Sequence, residues 1–508
     1  MTPIADIVRP SRAGPMPLRA RSFGEGSPIA PLAVFALALA WTVLARLPLW
    51  RVDGLDDAFY VEVAHLWSLG DLPYASAFDV KPPGFFAILA VAQTLFGPTI
   101  DSLRAVAVVF DALAATGMFF LGRRFGSSAI GVFAAILYPV LSELVTSNDA
   151  YCPLAAFTIF AFLAALSRAP LVRRATLAGV LVGAAGVVKQ TAAFEAIALL
   201  FILLSAPDAR ERRATTAAVF IAAAALVPLA FLTDFAAHRA AQALIDDAVL
   251  GALIRPASSA EGMTFLGGVG RYFVLQKSDV AIFGLACLAL LRRRALRDAL
   301  PDAPLGALEV WFALATLSIL AQRAIAITYL GPTLAPGLLL AGLCLTQAAP
   351  EFRRVPQAVR LAALALASAA IALAVPGNLL TMRQQTGALA AAAAAIRDSG
   401  PRKGDRLYVV NRGDWLYAAV DVPPATQYFY PGHTLCDFFV QKGPSLLASI
   451  LATEPRYVVV ADRRLHYACE QKDRWPVVDG ALQRSYRRIA HVVGASDFYD
   501  VYEAAGPQ

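Results

Sequence analysis

Charge is what this chain has least of. Of its 508 residues only 16% are Asp, Glu, Lys or Arg, against 58% hydrophobic, and the mean hydropathy is +0.59. That leaves too few charges to solvate a globular surface, so a soluble protein is excluded and a polytopic membrane protein is implied. No small-residue cleavage site follows the first apolar run, residues 28–50, and that run is longer than the h-region of a signal peptide. The polar, Arg- and Pro-rich residues 1–27 therefore read as a disordered cytoplasmic tail before an uncleaved first span. No internal repeat is visible, which tells against transporter folds built from repeats. Cysteines number five. Cys287 and Cys344 fall in apolar runs as packing residues, while Cys436 and Cys469 share the C-terminal part and form its one candidate disulfide.

The formal charge of +7 calls for no nucleic-acid partner, because the arginines gather in short clusters between apolar runs, as the positive-inside rule expects. With Arg9, Arg12, Arg19 and Arg21 inside, residues 51–82 lie outside and carry Asp53, Asp56, Asp57, Glu62, Asp71 and Asp79 against Arg51 and Lys81. The next apolar piece, GFFAILAVAQTLFG, is too short to cross about 30 Å of hydrocarbon, which takes roughly 20 helical residues. It reads as an interfacial or re-entrant helix, and leaving it out of the count keeps Arg123 and Arg124 inside. The later arginine clusters beginning at Arg168, Arg210, Arg292 and Arg353 then fall inside as well. The expectation is a polytopic α-helical protein with about eleven spans within residues 28–376 and outer loops at 51–100 and 235–278. A small extracytoplasmic α/β domain is expected over residues 377–508, from the strand-like runs RLYVVN and RYVVVAD.

This topology brings Asp56, Asp57, Asp79, Lys81, Asp149 and Lys189 to one outer boundary, although more than a hundred residues separate the first from the last. Each has a plainer reading alone: Asp56 or Asp57 as a helix N-cap, Asp149 as the polar start of a span, Lys189 as a snorkelling lysine. Together they have what transfer from an anionic lipid carrier needs. A sugar on a polyprenyl phosphate already has a stable leaving group, so the site must supply a base for the acceptor's proton and cations for the departing phosphate. Carboxylates of the first outer loop can be the base. Lys81, held extended by Pro82 and Pro83, can hold the phosphate, and nearby carboxylates can share a divalent ion.

The stretch DDAFYVEVAHLWSLGDLPYASAFDVKPPG, the following LFG and SLRAVAV, then FGSSAIGVFAAILYP, TSNDAY and GVVKQTA, resemble the GT-C membrane glycosyltransferases of the protein-mannosyltransferase and lipid A aminoarabinose-transferase type. The resemblance covers about the first 210 residues, and the rest in architecture only. It implies a bacterial-type inner-membrane hexosyl- or pentosyltransferase of the cell envelope, fed by a polyprenyl-phosphate sugar and serving a lipid, glycan or protein acceptor. It also implies Asp56 as the catalytic base with Asp57 beside it, Asp149 as a further acid, and Lys81 as a phosphate contact. Basic residues of the long outer loop contact the carrier phosphate in such enzymes, which marks Arg255 and Arg271 here, with Lys189 at the same boundary. Some members place a Glu metal ligand directly before the lysine; here Val80 stands there and Asp79 precedes it, which leaves a divalent-metal cofactor open.

Other polar residues carry two readings each. His65, three residues after Glu62, is a metal ligand beside Asp79 or a surface histidine, and His238 at the head of the long outer loop is of the same kind. Asp111 sits inside the apolar run AVAVVFDALAATG, where an ionisable group is costly and marks either function or a partner in the bundle. The aromatic stretch VPPATQYFYP either shapes acceptor access or packs a core. The alternatives to a glycosyltransferase are a flippase for lipid-linked sugars and a non-catalytic membrane scaffold.

Overall fold

A computed structural model describes residues 29–47, 50, 56–146, 150–254, 277–301, 303–322, 327–347, 386–431, 443–463, 474–494 and 498–505. The expected tail 1–27, the expected last span near 361–375, Asp149, Arg255, Arg271, Cys436 and Cys469 lie outside the described residues.

The apolar runs are helices: α1 (Ile29–Arg46), α4 (Ile100–Phe125), α5 (Ser128–Thr146), α6 (Tyr151–Ala165), α7 (Leu171–Val188), α8 (Ala192–Ser205), α9 (Arg213–Ala237), α10 (Lys277–Leu291), α11 (Leu305–Ala321) and α12 (Gly331–Gln347). Of these α4, α7 and α9 are each long and apolar enough to cross a membrane. Apolar surface is exposed as well, with Leu37 of α1 73% and Leu226 and Leu229 of α9 61% and 55% exposed, a face suited to lipid. Small residues let the helices touch. A Cβ on Gly122 of α4 would lie 2.3 Å from Gly131 N of α5, and one on Gly183 of α7 would lie 2.3 Å from Ala224 O of α9. This is the close backbone approach typical of helix pairs in membranes, where no hydrophobic force holds helices together.

Two shorter helices lie between α1 and α4. They are α2 (Asp57–Ser68) and α3 (Gly84–Phe96). The 13 residues of α3 reach only about 20 Å at 1.5 Å per residue, short of the hydrocarbon thickness, as the sequence implies. Val91 and Leu95 on α3 are 69% and 79% exposed, so an apolar stripe faces outward while Gln93 turns inward and donates its side-chain amide to Val61 O at 2.8 Å. Gly84 begins α3 against α7: a Cβ there would sit 2.7 Å from Val187 O. The Lys-Pro-Pro corner is thereby fixed at the same end of α7 as Lys189. At the opposite end of α4 lie Arg123 and Arg124 in the last helical turn, roughly 36 Å along the helix from Ile100, where cations also suit the helix dipole.

Residues 386–505 carry a four-stranded sheet in the order β1-β2-β4-β3, formed by β1 (Leu407–Val409), β2 (Tyr457–Ala461), β3 (Tyr486–Val493) and β4 (Phe498–Ala504). Strand β1 runs parallel to β2, and the β2–β4 and β3–β4 pairs are antiparallel. Every residue of β2 is buried because its two faces enter different cores. Val458 and Val460 pack with Tyr408, Leu447 and Val478, while Tyr457, Val459 and Ala461 share a core with Phe59, Phe85, Leu416 and Phe429. That explains the unbroken apolar run in RYVVVAD. The second core is continuous with α2 and α3, so this segment is not packed by itself: it lies on these two helices, with α14 (Trp415–Val420) against α2 and α13 (Thr386–Asp398) in the same core.

Candidate active site

The site begins at Asp56, the residue before α2. Its backbone is helical and its side chain makes no capping hydrogen bond to the helix, so the carboxylate is turned toward other partners. Tyr60, one turn along α2, donates its hydroxyl to Asp56 Oδ2 at 2.7 Å, and Tyr430 donates to Oδ1 at 2.6 Å. Lys81 Nζ lies 3.8 Å from Oδ2, with the Asp56 side chain 30% exposed. A carboxylate steadied on both oxygens, beside an ammonium and open to one side, is equipped to accept a proton from an incoming hydroxyl.

Asp57 points elsewhere. Successive helical residues are turned by about 100°, and Asp57 enters the interior, where its Oδ2 meets Arg104 Nη2 at 2.9 Å with both side chains nearly fully buried. Arg104 Nε also donates to Trp50 O at 3.3 Å. The pair ties the start of α2 to the start of α4, so Asp57, expected in the catalytic set, holds the frame instead of lining the open site.

Lys81 is placed by its neighbours. Its ammonium stands 3.8 Å from Asp79 Oδ1 as well as from Asp56, and 4.7 Å from the Tyr60 ring centroid. Asp79 is 1% exposed and accepts from Val80 N at 2.7 Å and Lys81 N at 3.3 Å, which folds the corner back on itself. Tyr74 donates to Lys81 O at 2.6 Å. Burial and the charges of Asp79 and Asp247 push its phenol well above the ordinary range, so it remains a donor. Gln190 clamps the corner from the other side, donating to Val80 O at 2.6 Å and to Ala248 O at 2.8 Å. Ala248 belongs to a π-helical segment, Ile245–Gly251, an arrangement common at functional sites. Beside it, burial together with Asp246 and Asp79 raises the Asp247 carboxyl to about 7.

Lys189, just beyond α7, donates to Tyr151 Oη and lies 3.8 Å from the Tyr151 ring centroid and 4.9 Å from that of Tyr329. The start of α6 therefore stands in the same layer as the corner.

The two residues marked as metal ligands are each committed elsewhere. His65 Nε2 pairs with Asp421 Oδ1 at 3.4 Å, and Asp79 is bound to its own backbone and to Lys81. An ammonium already standing between Asp56 and Asp79 repels a second cation, so these carboxylates do not fit a divalent ion. Among the described residues no three His, Cys, Asp or Glu side chains come together as a metal site. His238 Nδ1 donates to the backbone oxygen of Asp234, in the last turn of α9, at 2.9 Å. Asp111 has a partner in the bundle: Arg46 Nη2 meets it at 2.6 Å and Ser142 donates to it at 2.6 Å, so α1, α4 and α5 are joined by a buried ion pair.

Tyr60, Tyr74, Gln190 and Tyr430 were not singled out by sequence. A tyrosine four residues after an aspartate in a helix was a usable signal for Tyr60, since such pairs share a face. Tyr430 lay inside the aromatic stretch already noted, but nothing local ties it to Asp56.

A family model described as dolichyl-phosphate-mannose-protein mannosyltransferase matches residues 80–233. No curated protein matches the chain by sequence. In structure, the chain resembles ArnT from Cupriavidus metallidurans bound to undecaprenyl phosphate, with TM-score 0.62 and 16% identity over 95% of this chain and 100% of that one. The apo state of the same protein gives 0.60 and 16%, over 94% and 99%. The archaeal oligosaccharyltransferase AglB from Archaeoglobus fulgidus, in complex with an inhibitory peptide and a dolichol-phosphate, gives 0.50 and 13%, over 85% and 69%. The resemblance to GT-C membrane glycosyltransferases thus holds in sequence over the matched stretch and in fold over nearly the whole chain.

Proposed function

We propose that this chain is an integral membrane glycosyltransferase that moves a sugar from a polyprenyl-phosphate carrier to an acceptor at the extracytoplasmic face of a bacterial-type inner membrane. The observation that carries the reading is the pairing of a steadied, partly open carboxylate with an ammonium 3.8 Å away, at the end of the bundle opposite Arg123 and Arg124. In this reading Asp56 takes the proton of an acceptor hydroxyl as its oxygen attacks the anomeric carbon. The bond from that carbon to the carrier phosphate breaks, and the phosphate leaves with the electron pair. Lys81 and Lys189 neutralise the departing phosphate, with Arg255 and Arg271 proposed to join them. Asp149 is proposed as a further acid of the catalytic set. Asp79 and Tyr74 keep Lys81 in place, and no step is routed through a metal.

The reading is tested with the purified full-length protein in vesicles, given undecaprenyl-phosphate-linked hexoses and pentoses as probes. Release of undecaprenyl phosphate together with a glycosylated or hydrolysed product supports a transferase. Movement of the intact carrier lipid across the bilayer, with the sugar–phosphate bond unbroken, would instead identify a flippase, and neither activity would leave a scaffold.

A further inference from the structure

The C-terminal segment reaches the catalytic carboxylate directly. Tyr430 is 374 residues from Asp56 in sequence, yet its hydroxyl donates to Asp56 Oδ1 at 2.6 Å. Hydrogen bonds to an ionised acceptor are short and roughly twice as strong as neutral ones. The phenol is also delivered by packed structure: Tyr430 is 4% exposed, and its ring stacks on Phe59 of α2 at a centroid distance of 4.7 Å. Next to it, Phe429 packs against Phe59 at 5.3 Å and against Tyr417 of α14 at 5.0 Å. Two residues earlier still, Gln427 O accepts from Phe78 N at 2.8 Å, so the segment is stitched to the loop that carries Asp79 and Lys81.

We propose that Tyr430 is a positioning residue for the transfer reaction: its hydroxyl orients the Asp56 carboxylate and favours its ionised form, so that residues 422–431 complete the active site. This rests on the reading of Asp56 as the base. Among the described residues, the charged and titratable groups around that carboxylate are Tyr60 on its own helix, Lys81 and Asp79 from the corner, Tyr430, and the adjacent Asp57–Arg104 pair. Tyr60 and Tyr430 donate to different oxygens, which fixes the plane of the carboxylate as one donor alone does not. A donor bound to the charged form of an acid resists protonation of that acid. Removing the Tyr430 hydroxyl therefore makes Asp56 take up its proton at higher pH and loosens its orientation.

Tyr430→Phe removes the hydroxyl and keeps the ring on Phe59. With the purified full-length protein and whichever undecaprenyl-phosphate-linked sugar the wild type turns over, kcat is expected to fall about tenfold, and the acidic limb of the pH–rate profile to rise by about one pH unit. Binding of undecaprenyl phosphate stays as in the wild type, and the unfolding temperature at neutral pH falls by only a few degrees. Were the variant not to fold, a fluorinated tyrosine at position 430 keeps the shape and donates more strongly, so the limb should move to lower pH. An unmoved limb and unchanged kcat, alongside an inactive Asp56→Asn, would overturn the role of Tyr430 and spare the base. An active Asp56→Asn, or a wild type that turns over none of the probes, would overturn the base reading and this inference with it.

Discussion

At the scale of single residues, two adjacent acids have been given opposite work by one helical step. Asp56 stays at the open edge, whereas Asp57 compensates the buried Arg104 guanidinium. Asp57→Asn leaves that guanidinium buried without the Asp57 charge, which costs about 3–5 kcal/mol when such a pair is broken. The expected result is a markedly lower unfolding temperature in detergent, with transfer per folded molecule reduced far less than by loss of Asp56. Glu62 makes a second residue-scale prediction. Burial first, and the charge of Asp421 second, raise its carboxyl from the ordinary 4.5 to about 8. The folded state thus keeps a proton that the unfolded state gives up above pH 4.5, so this group costs stability progressively as pH rises from about 4.5 to about 8. Glu62→Gln removes that penalty: its unfolding temperature should exceed the wild type's at pH 8 and match it at pH 4.5. Equal differences at both pH values would show that Glu62 does not titrate in this window.

At the scale of elements, the geometry of the site depends on which helices can approach closely. Gly183 has the Ala224 carbonyl where a Cβ would go, so Gly183→Ala must separate α7 from α9. A loss on the order of 1–3 kcal/mol, as for overpacked cores, is expected in thermal unfolding, with weaker carrier binding because Lys189 follows directly on α7. The sequence made some of this arrangement legible. The short apolar run of α3 was visible as a short helix, and the Pro-Pro corner placed Lys81 at a fixed turn. The convergence of Lys81 and Lys189 also followed from counting spans against arginine clusters. What it could not show were contacts between distant segments. Arg104 reads as one more helix arginine until its side chain meets Asp57, 47 residues earlier. Tyr430 reads as one aromatic among several until the sheet is laid on α2, and Asp111 reads as an intramembrane oddity until Arg46 reaches it. Hydrophobic period and charge bias report which face of an element is buried, not which element covers it.

At the scale of the whole molecule, one end of the bundle gathers Asp56, Lys81 and Lys189 under the sheet-bearing segment, and the other end carries Arg123 and Arg124. In sealed membrane vesicles of known orientation, single cysteines introduced at exposed Leu69 and at Arg402 in the C-terminal segment should therefore react with an impermeant maleimide from one side. A cysteine replacing Arg123 should react from the other. Labelling of all three from the same side would break the assignment of a single catalytic face. The most direct test of the account is Asp56→Asn in the purified protein, because the amide keeps the shape and one acceptor oxygen while losing the negative charge and the basic oxygen. The prediction is a loss of transfer from the undecaprenyl-phosphate-linked sugar of about 100- to 10,000-fold, with undecaprenyl phosphate still bound as in the wild type; near-normal transfer by this variant would contradict the account.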